Sequence, residues 1–267
     1  MPCFVCETCG VQHAESAAPP ERCAICEDER QYVGWGGQRW TTLEELRRTH
    51  RNELRDDHGL VGIGVTPEFG IGQRALLVPE RGGNVLWGCT ALLDSDLPGR
   101  IRALGGLSAV AIDHPHFYST MVEWAEAFSC PVFLHAADRS WVMRPDERLV
   151  FWEGETYALA PGLTLVRLGG HFDGGSVLHW ADGQALLTGD IVTVVQDRRF
   201  VSFMYSYPNL IPLPARQVRR MAAALEPYSF DRIYGGWFGR VVERGGKEAV
   251  RRSAERYVRR LSGGGAL

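Results

Sequence analysis

The amino-acid sequence predicts a mixed α/β domain that follows a small metal-binding module. From residue 60 onward, short apolar runs broken by glycine and proline alternate with helix-like runs. Ahead of this region, five of the seven cysteines lie within the first 26 residues. We therefore expect a module at residues 1–40 and a main domain at residues 41–267, in a chain long enough to bury a large core.

Composition and charge argue against several classes of protein. The content of 45% hydrophobic and 23% charged residues is ordinary for a globular protein in water. A net charge of -3 gives no electrostatic case for nucleic acid or an anionic membrane. The sequence contains neither an apolar run of membrane-spanning length nor a signal-peptide pattern. We expect a cytoplasmic protein with a small-molecule substrate and no nucleic-acid or membrane partner, and we leave association into a homo-oligomer open.

The N-terminal module carries two separate C-x-x-C knuckles, Cys6 with Cys9 and Cys23 with Cys26. Cys3 also forms a C-x-x-C spacing with Cys6, but Gly10 directly after Cys9 favours Cys6 and Cys9 as the ligands. The tight turn of each pair lets two thiolates bind one tetrahedral metal ion, and the separation of 13 residues is typical of zinc ribbons. In a reducing compartment such a cluster favours metal over disulfides. The module resembles a zinc ribbon or a rubredoxin-type fold, which implies a structural zinc with iron as the alternative. His13 in place of one thiolate is a further alternative.

The first half of the main domain is predicted to contain a helix and then a set of strands. Thr42 with Glu45 three residues later is a capping-box pattern, which predicts a helix that runs to about Arg55. Two more helices are expected within residues 94–105 and at 120–128. The strands are expected at residues 61–65, 74–78, 84–93, 107–112 and 131–135.

The second half continues the same mixture. Three prolines exclude a regular helix from the aromatic loop at residues 198–214. Helices are expected at residues 215–225 and 247–261. Strands are expected at residues 149–152, 155–159, 163–168 and 229–234, with a hairpin of 177–180 and 185–187 around an Ala-Asp-Gly turn.

Four side chains that can bind metal stand at the ends of three of these strands. His114 and His116 form an H-x-H motif after the strand at 107–112. His171 ends a Gly-Gly-His sequence, and Asp190 ends a Leu-Thr-Gly-Asp sequence. Neutral imidazole nitrogens and a carboxylate suit zinc or ferrous iron. The pattern therefore predicts one metal site built from these four residues.

The order of the three motifs resembles the metallo-β-lactamase superfamily, over about residue 61 to the C-terminus. The resemblance implies an αββα sandwich. In that family the first motif usually reads H-x-H-x-D-H, and a last histidine follows a glycine near the C-terminal end. Here Tyr118 stands in place of the aspartate of that motif and Ser119 in place of the histidine after it, and Trp237 stands in place of the last histidine. These positions hold the second metal in the family, so we expect a degenerate second site and one catalytic metal.

The resemblance and the ligand set together favour a mononuclear zinc hydrolase of a small ester, thioester, lactone or amide. A zinc ion held by three histidines keeps an open position at which water is activated. Asp190 would bind the metal or hold the attacking water, and Tyr118 would donate a hydrogen bond to the substrate. The expected cofactors are one catalytic and one structural zinc, with iron an alternative at either site.

Two other functions stay open. His114, His171 and Asp190 could form the two-histidine, one-carboxylate face of a ferrous oxygenase that resembles the persulfide dioxygenases. Loss of the second-metal ligands also fits a catalytically degenerate protein that serves for binding or scaffolding. The catalytic hypothesis requires the four ligands to converge and to leave space for water beside the ion.

Three further residues are candidates for the surroundings of the site. His135 and Asp138 follow the strand at 131–135 and could support the metal ligands or substitute for lost ones, although packing of the histidine and a turn role for the aspartate are alternatives. Trp237 adds bulk where the family has a ligand, which is consistent with an apolar wall for the substrate.

Overall fold

A computed structural model describes residues 1–263 and contains two large β-sheets. The first large sheet has seven strands, in the spatial order Leu149–Trp152, Val132–His135, Leu107–Ala111, Asn84–Trp87, Ala75–Val78, Leu60–Thr66 and Arg51–Asp57. The second large sheet has six, in the order Thr156–Ala160, Leu163–Arg167, Ser176–Trp180, Ala185–Gly189, Arg232–Gly235 and Val241–Val242.

The two large sheets pack face to face because their strands are apolar on both sides. In the first sheet, Val85 and Trp87 belong to the cluster between the sheets, whereas Leu86 points into a cluster on the opposite face. In the second sheet, Leu187 faces the first sheet and Leu186 faces away from it. This alternation, with period two along each strand, produces three buried layers.

Helices cover the outer faces of both sheets and complete the αββα sandwich implied by the resemblance. Leu97–Ala103 and Met121–Phe128 contribute to the apolar cluster on the first sheet. Ala215–Leu225 and Gly246–Leu261 contribute to the cluster on the second sheet. Each of the four helices overlaps its predicted range, and the predicted fold class is confirmed.

The N-terminal unit is a three-stranded sheet of Gln12–Glu15, Cys3–Cys6 and Trp40–Thr42, with a short helix at Ala24–Glu27. Its sheet continues two residues beyond the boundary expected at residue 40, and that boundary stays a prediction. The unit is bonded to the main domain through its second strand. The Gln12 amide donates to the Ser119 carbonyl at 3.0 Å, and the Ala14 amide donates to the Met143 carbonyl at 3.0 Å.

The predicted helix that runs to Arg55 is wrong in its second half. The capping box of Thr42 and Glu45 is present, but the helix ends at Thr49 and Arg51–Asp57 is a strand at the edge of the first sheet. This strand pairs with Leu60–Thr66 along its whole length. Its charged residues favour a helix locally, but seven paired residues and a tight turn through His58 and Gly59, both with positive φ, outweigh that preference.

Two smaller predictions concern strand length and the aromatic loop. The strand expected at residues 84–93 ends at Trp87, since Gly88 has a positive φ and the chain then turns away. The loop at 198–214 contains no helix, as expected, and forms the short strands Val201–Ser202, Met204–Ser206 and Ile211–Pro212. Thr193–Val194 pairs with the first of them. Among residues 1–263, none of the helices has the length and apolar character needed to cross a bilayer.

Candidate metal centre

The four ligands expected at the strand ends are gathered at one place, which we call the histidine centre. Each lies beyond the C-terminal end of a strand, where the chain leaves the sheet and side chains become free to converge. They are His114 and His116 after Leu107–Ala111, His171 after Leu163–Arg167, and Asp190 after Ala185–Gly189.

The geometry of the histidine centre fits a tetrahedral metal. One ligand atom from each residue lies within 4.8 Å of the others. Nε2 of His114 is 3.1 Å from Oδ1 of Asp190. Nε2 of His171 is 3.1 Å from Nδ1 of His116 and 3.8 Å from Oδ1 of Asp190. Ligands at about 2.0–2.1 Å from a tetrahedral zinc lie about 3.4 Å apart, so the observed separations match such a cation.

Hydrogen bonds outside the histidine centre fix which ring nitrogen is available. Nδ1–H of His171 donates to the Tyr205 carbonyl at 2.7 Å, which leaves the lone pair of Nε2 directed at the other ligands. Asp190 is held through its backbone carbonyl, which accepts from the Tyr207 hydroxyl at 2.7 Å and from the Thr193 hydroxyl at 3.1 Å. These contacts orient two ligands before any ion binds.

The protonation of the histidines also suits a metal. Burial, together with the neighbouring His114, holds the pKa of His171 well below its usual range. Burial and the two other histidines lower the pKa of His116 in the same way. Burial also acts to lower the pKa of His114, but the carboxylates of Asp190 and Asp113 outweigh it and raise the net value. Two imidazoles are therefore held neutral, the form that binds metal.

Asp113 is a functional candidate that the sequence reasoning missed. Its Oδ2 lies 3.1 Å from Nδ1 of His114, the nitrogen that faces away from Asp190, and its side chain is fully buried. A Cβ on Gly189 would come within 1.6 Å of the same oxygen, so only glycine fits beside it. A carboxylate behind a metal-binding histidine orients the ring and raises its basicity. The available signal was a charged residue at the end of an apolar strand, directly before the H-x-H motif.

Several buried polar atoms of this region have no hydrogen-bond partner within residues 1–263. They are both carboxylate oxygens of Asp113, both ring nitrogens of His114, Nε2 of His116 and Oδ1 of Asp190. Oδ2 of Asp113 and Nδ1 of His114 are 3.1 Å apart, so they interact electrostatically, but they are not aligned as a hydrogen bond. Leaving a buried polar atom unpaired costs about 1–3 kcal/mol. A divalent cation would satisfy the atoms that face the centre, and the two carboxylates would balance its charge. The donor set therefore fits a metal ion.

The residues expected around the ligands take different positions. Both nitrogens of His135 are used, since Nε2 is 3.0 Å from the Gly154 carbonyl and Nδ1 accepts from the Ala137 amide at 3.1 Å. Asp138 is buried and its Oδ1 accepts from the Gly174 amide at 2.8 Å, which fixes the loop that carries His171. Neither residue belongs to the ligand group, and their functional roles stay predictions.

Tyr118 and Trp237 lie in or against the apolar cluster of the first sheet. Tyr118 is buried there, and burial raises its pKa well above the usual value, so the phenol is neutral. Trp237 donates from Nε1 to the Ile71 carbonyl at 2.9 Å and packs edge-on against Phe117. Neither belongs to the group of four ligands. The catalytic role expected for Tyr118 and the substrate-wall role expected for Trp237 stay predictions.

The four cysteines of the N-terminal unit form a second buried group, the cysteine cluster. The Sγ atoms of Cys6 and Cys26 are 3.5 Å apart, and those of Cys9 and Cys23 are 3.7 Å apart. Tetrahedral zinc–sulfur bonds of about 2.3 Å give sulfur separations of about 3.8 Å. Burial and the neighbouring cysteines raise the pKa of Cys9, which favours its neutral thiol unless a cation is bound. His13, the alternative ligand, is outside the group.

The histidine centre is enclosed. Its four ligands are each at most 4% exposed. Phe172 packs against the rings of all three histidines, with centroids 4.9 to 5.6 Å away. Arg30 of the N-terminal unit lies over Phe172, with its guanidinium carbon 3.8 Å from the ring centroid. The four side chains converge as required, and this cover leaves them almost without exposure to solvent.

A known protein is similar to this chain in amino-acid sequence. No protein-family model matches the chain. A Bacillus subtilis (strain 168) protein, named as the uncharacterized protein YmaE, is 52% identical over 269 residues, which cover 98% of each chain.

Solved structures give the fold. The DIM-1 metallo-β-lactamase is similar with a TM-score of 0.57 and 16% identity, over 77% of this chain and 97% of that chain. FIM-1 from Pseudomonas aeruginosa, a metallo-β-lactamase solved in a mono-zinc form, has a TM-score of 0.57 and 12% identity, over 78% and 96%. A metallo-β-lactamase from Hirschia baltica has a TM-score of 0.55 and 16% identity, over 77% and 97%. At these identities the similarity establishes the metallo-β-lactamase fold.

Proposed function

The chain belongs to the same family as YmaE of Bacillus subtilis and has the metallo-β-lactamase fold, and from this premise we propose that it is a mononuclear metal-dependent hydrolase. The observation that carries the proposal is the convergence of three imidazoles and one carboxylate on a single point at the strand ends. We propose zinc as the metal and a small ester, thioester, lactone or amide as the substrate. FIM-1, solved with one zinc, has the same fold.

Each residue of the histidine centre has a proposed role in this reaction. His114, His116 and His171 would hold the metal through the nitrogens that face one another. When bound, the cation supplies Lewis-acid chemistry, lowering the pKa of water toward neutrality and stabilising negative charge on oxygen. Burial raises the pKa of Asp190 to about 6 although His114 opposes this, but a bound cation would lower it again. Asp190 would therefore bind the metal or hold the attacking water as an ionised carboxylate. Tyr118, a neutral phenol, is proposed as a hydrogen-bond donor.

A second candidate is the ferrous oxygenase. Oδ1 of Asp190 lies 3.1 Å from Nε2 of His114 and 3.8 Å from Nε2 of His171, an arrangement that suits a two-histidine, one-carboxylate iron site. Iron chemistry of this type would consume dioxygen, whereas hydrolysis does not. The two candidates therefore differ in metal and in co-substrate.

One assay separates them. The metal-free protein is loaded with zinc or with ferrous iron, and hydrolysis of esters, thioesters, lactones and amides is measured. Dioxygen consumption is measured separately, with a persulfide as the substrate. We expect turnover with zinc, reduced by at least about 100-fold in His116→Ala because one of three histidine ligands is lost. His58→Asn, an exposed residue with a positive φ that asparagine tolerates, is the control.

The outcomes discriminate among the three functions. Dioxygen uptake confined to the iron-loaded protein would establish the oxygenase instead. If neither metal binds at the histidine centre, or if a bound metal supports neither reaction, the proposal is wrong and a binding or scaffolding role is left.

A further inference from the structure

The cover of the histidine centre comes partly from the cysteine module. After Cys26, the chain continues through residues 28–31, which we call the covering segment. Nη1 of Arg30 donates to the backbone carbonyl of His171 at 3.2 Å, and its guanidinium stacks on the ring of Phe172. A residue four positions beyond a cysteine of one cluster therefore contacts a ligand of the other.

The covering segment is held from two sides. Within it, Asp28 accepts from Arg30 through both carboxylate oxygens, at 2.5 and 2.9 Å, which fixes the guanidinium in one orientation. From the main domain, the Tyr205 hydroxyl donates to the Glu29 carboxylate at 2.6 Å. Asn209 donates to the backbone carbonyls of Glu29 and Gln31 at 2.9 and 3.1 Å. Tyr205 also accepts the hydrogen bond from His171, so it joins the segment to the ligand.

The module also contacts the main domain away from the covering segment. On another side it is bonded to the main domain through the amides of Gln12 and Ala14. Arg144 donates there to the side chains of Gln12 and Glu123, at 2.5 and 2.6 Å. Met143 packs on the cysteine cluster. These contacts would hold the rest of the module in place if the covering segment opened locally and separated from His171.

We propose that Arg30 is a positioning residue of the histidine centre, through which the cysteine module holds the loop of His171 in place and keeps the centre closed. Opening of the covering segment then admits metal and substrate. The module is thus a functional wall of the site as well as a structural unit. This inference rests on metal binding at the histidine centre but not on hydrolysis.

The rate at which metal leaves the histidine centre tests the proposal. Full-length protein is loaded with cobalt at both sites and mixed with an excess of chelator. Thiolate ligands give an intense charge-transfer absorption that histidine and carboxylate ligands lack, so the two sites are followed separately. Arg30→Ala removes a charge-assisted hydrogen bond and a stacking contact, and we expect release from the histidine centre about tenfold faster, with an altered visible spectrum.

Two further variants test whether the effect is specific to the covering segment. Tyr205→Phe keeps the ring and the carbonyl but loses the bond to Glu29, and we expect release about threefold faster. Arg22→Ala, an exposed residue of the same module with a 3.8 Å ion pair to Glu27, is the matched control and should release metal at the wild-type rate.

Each possible result of the release experiment either supports or overturns the proposed role of Arg30. Wild-type release and an unchanged spectrum in Arg30→Ala would overturn the proposal, as would equal acceleration at both sites, which would mean general loosening of the module. A wild-type protein that binds no cobalt at the histidine centre would overturn both this inference and the proposed function. Faster release in Arg30→Ala from a protein without hydrolytic activity would support the inference and reject the hydrolase alone.

Discussion

The two groups of potential metal ligands in this chain are both buried sets of four side chains, but they are assembled from very different lengths of sequence. The cysteine cluster takes all its ligands from residues 6–26, at the end of one strand, in the turn after it and at one short helix. The histidine centre takes its ligands from residues 114–190, at the ends of strands from both large sheets. One site can form within a local unit, whereas the other exists only after the sandwich has closed.

The difference indicates which part of the chain depends on its metal. The N-terminal unit has a small apolar core of its own, so its metal would supply much of its folding energy. The histidine centre lies on a scaffold with three large apolar clusters, whose burial would stabilise the fold without an ion. We therefore expect metal loss to unfold the first region and to leave the second folded but inactive.

The largest effect is expected from replacing one ligand in each site. Cys23→Ala should lose the metal of the cysteine cluster and unfold the N-terminal unit, because structural zinc contributes about 10 kcal/mol or more to such folds. His114→Ala should lose the other metal and keep the fold. Metal content and limited proteolysis of the N-terminus measure both. Cys3→Ala, in the same unit but outside the cluster, is the control.

Two results would contradict this expected difference between the cysteine cluster and the histidine centre. If Cys23→Ala leaves the N-terminal unit resistant to protease, or if His114→Ala unfolds the main domain, the division into a metal-dependent and a metal-independent region is wrong.

A smaller effect is expected from Asp113→Asn. The substitution removes the negative charge beside Nδ1 of His114, and loss of such a carboxylate typically weakens metal binding about 10- to 100-fold. Competition with a chelator of known affinity measures the change, which should be confined to the histidine centre. Asp182→Asn, on the exposed hairpin turn, should have wild-type affinity. Equal affinities in all three proteins would show that Asp113 does not support the metal.

The smallest effect is a pH dependence of stability at Asp138. Burial raises the pKa of Asp138 to about 6, partly offset by the Gly174 amide, so the folded protein disfavours its ionised form. A pKa raised on folding means that stability falls as pH rises from the unfolded pKa, about 4, through the folded pKa. Asp138→Asn can still accept from Gly174 but does not ionise.

Urea unfolding of the two proteins measures this dependence. Relative to wild type, Asp138→Asn should gain about 1 kcal/mol in the free energy of unfolding between about pH 5 and pH 7.5. A difference between the proteins that does not change with pH would contradict a raised pKa.

Some helices and turns were predictable from the sequence because the residues that determine them are adjacent in the chain. The capping box of Thr42 and Glu45 satisfies the backbone of a single turn, and the Ala-Asp-Gly turn closes a single hairpin. Each can be recognised from a few adjacent residues. The strand Arg51–Asp57 was missed because its pairing with Leu60–Thr66 competes with a local preference for helix.

In the candidate site, too, the ligands that were predicted belong to short sequence motifs. The four ligands of the histidine centre were identified from motifs at strand ends, while Asp113, adjacent to one of those motifs, was overlooked. Arg30 gave no signal at all, because its contact with His171 joins positions that are distant in the chain. Side chains that act through tertiary contacts leave no spacing pattern.

By itself, the sequence predicted the fold class and the residues of both groups of potential metal ligands, since these depend on residue type and on short-range spacing. Only the tertiary structure decided that the histidine centre is enclosed, that Asp113 lies behind His114, and that the covering segment of the cysteine module reaches His171. The physical reason is that enclosure and charge balance arise where distant segments pack together.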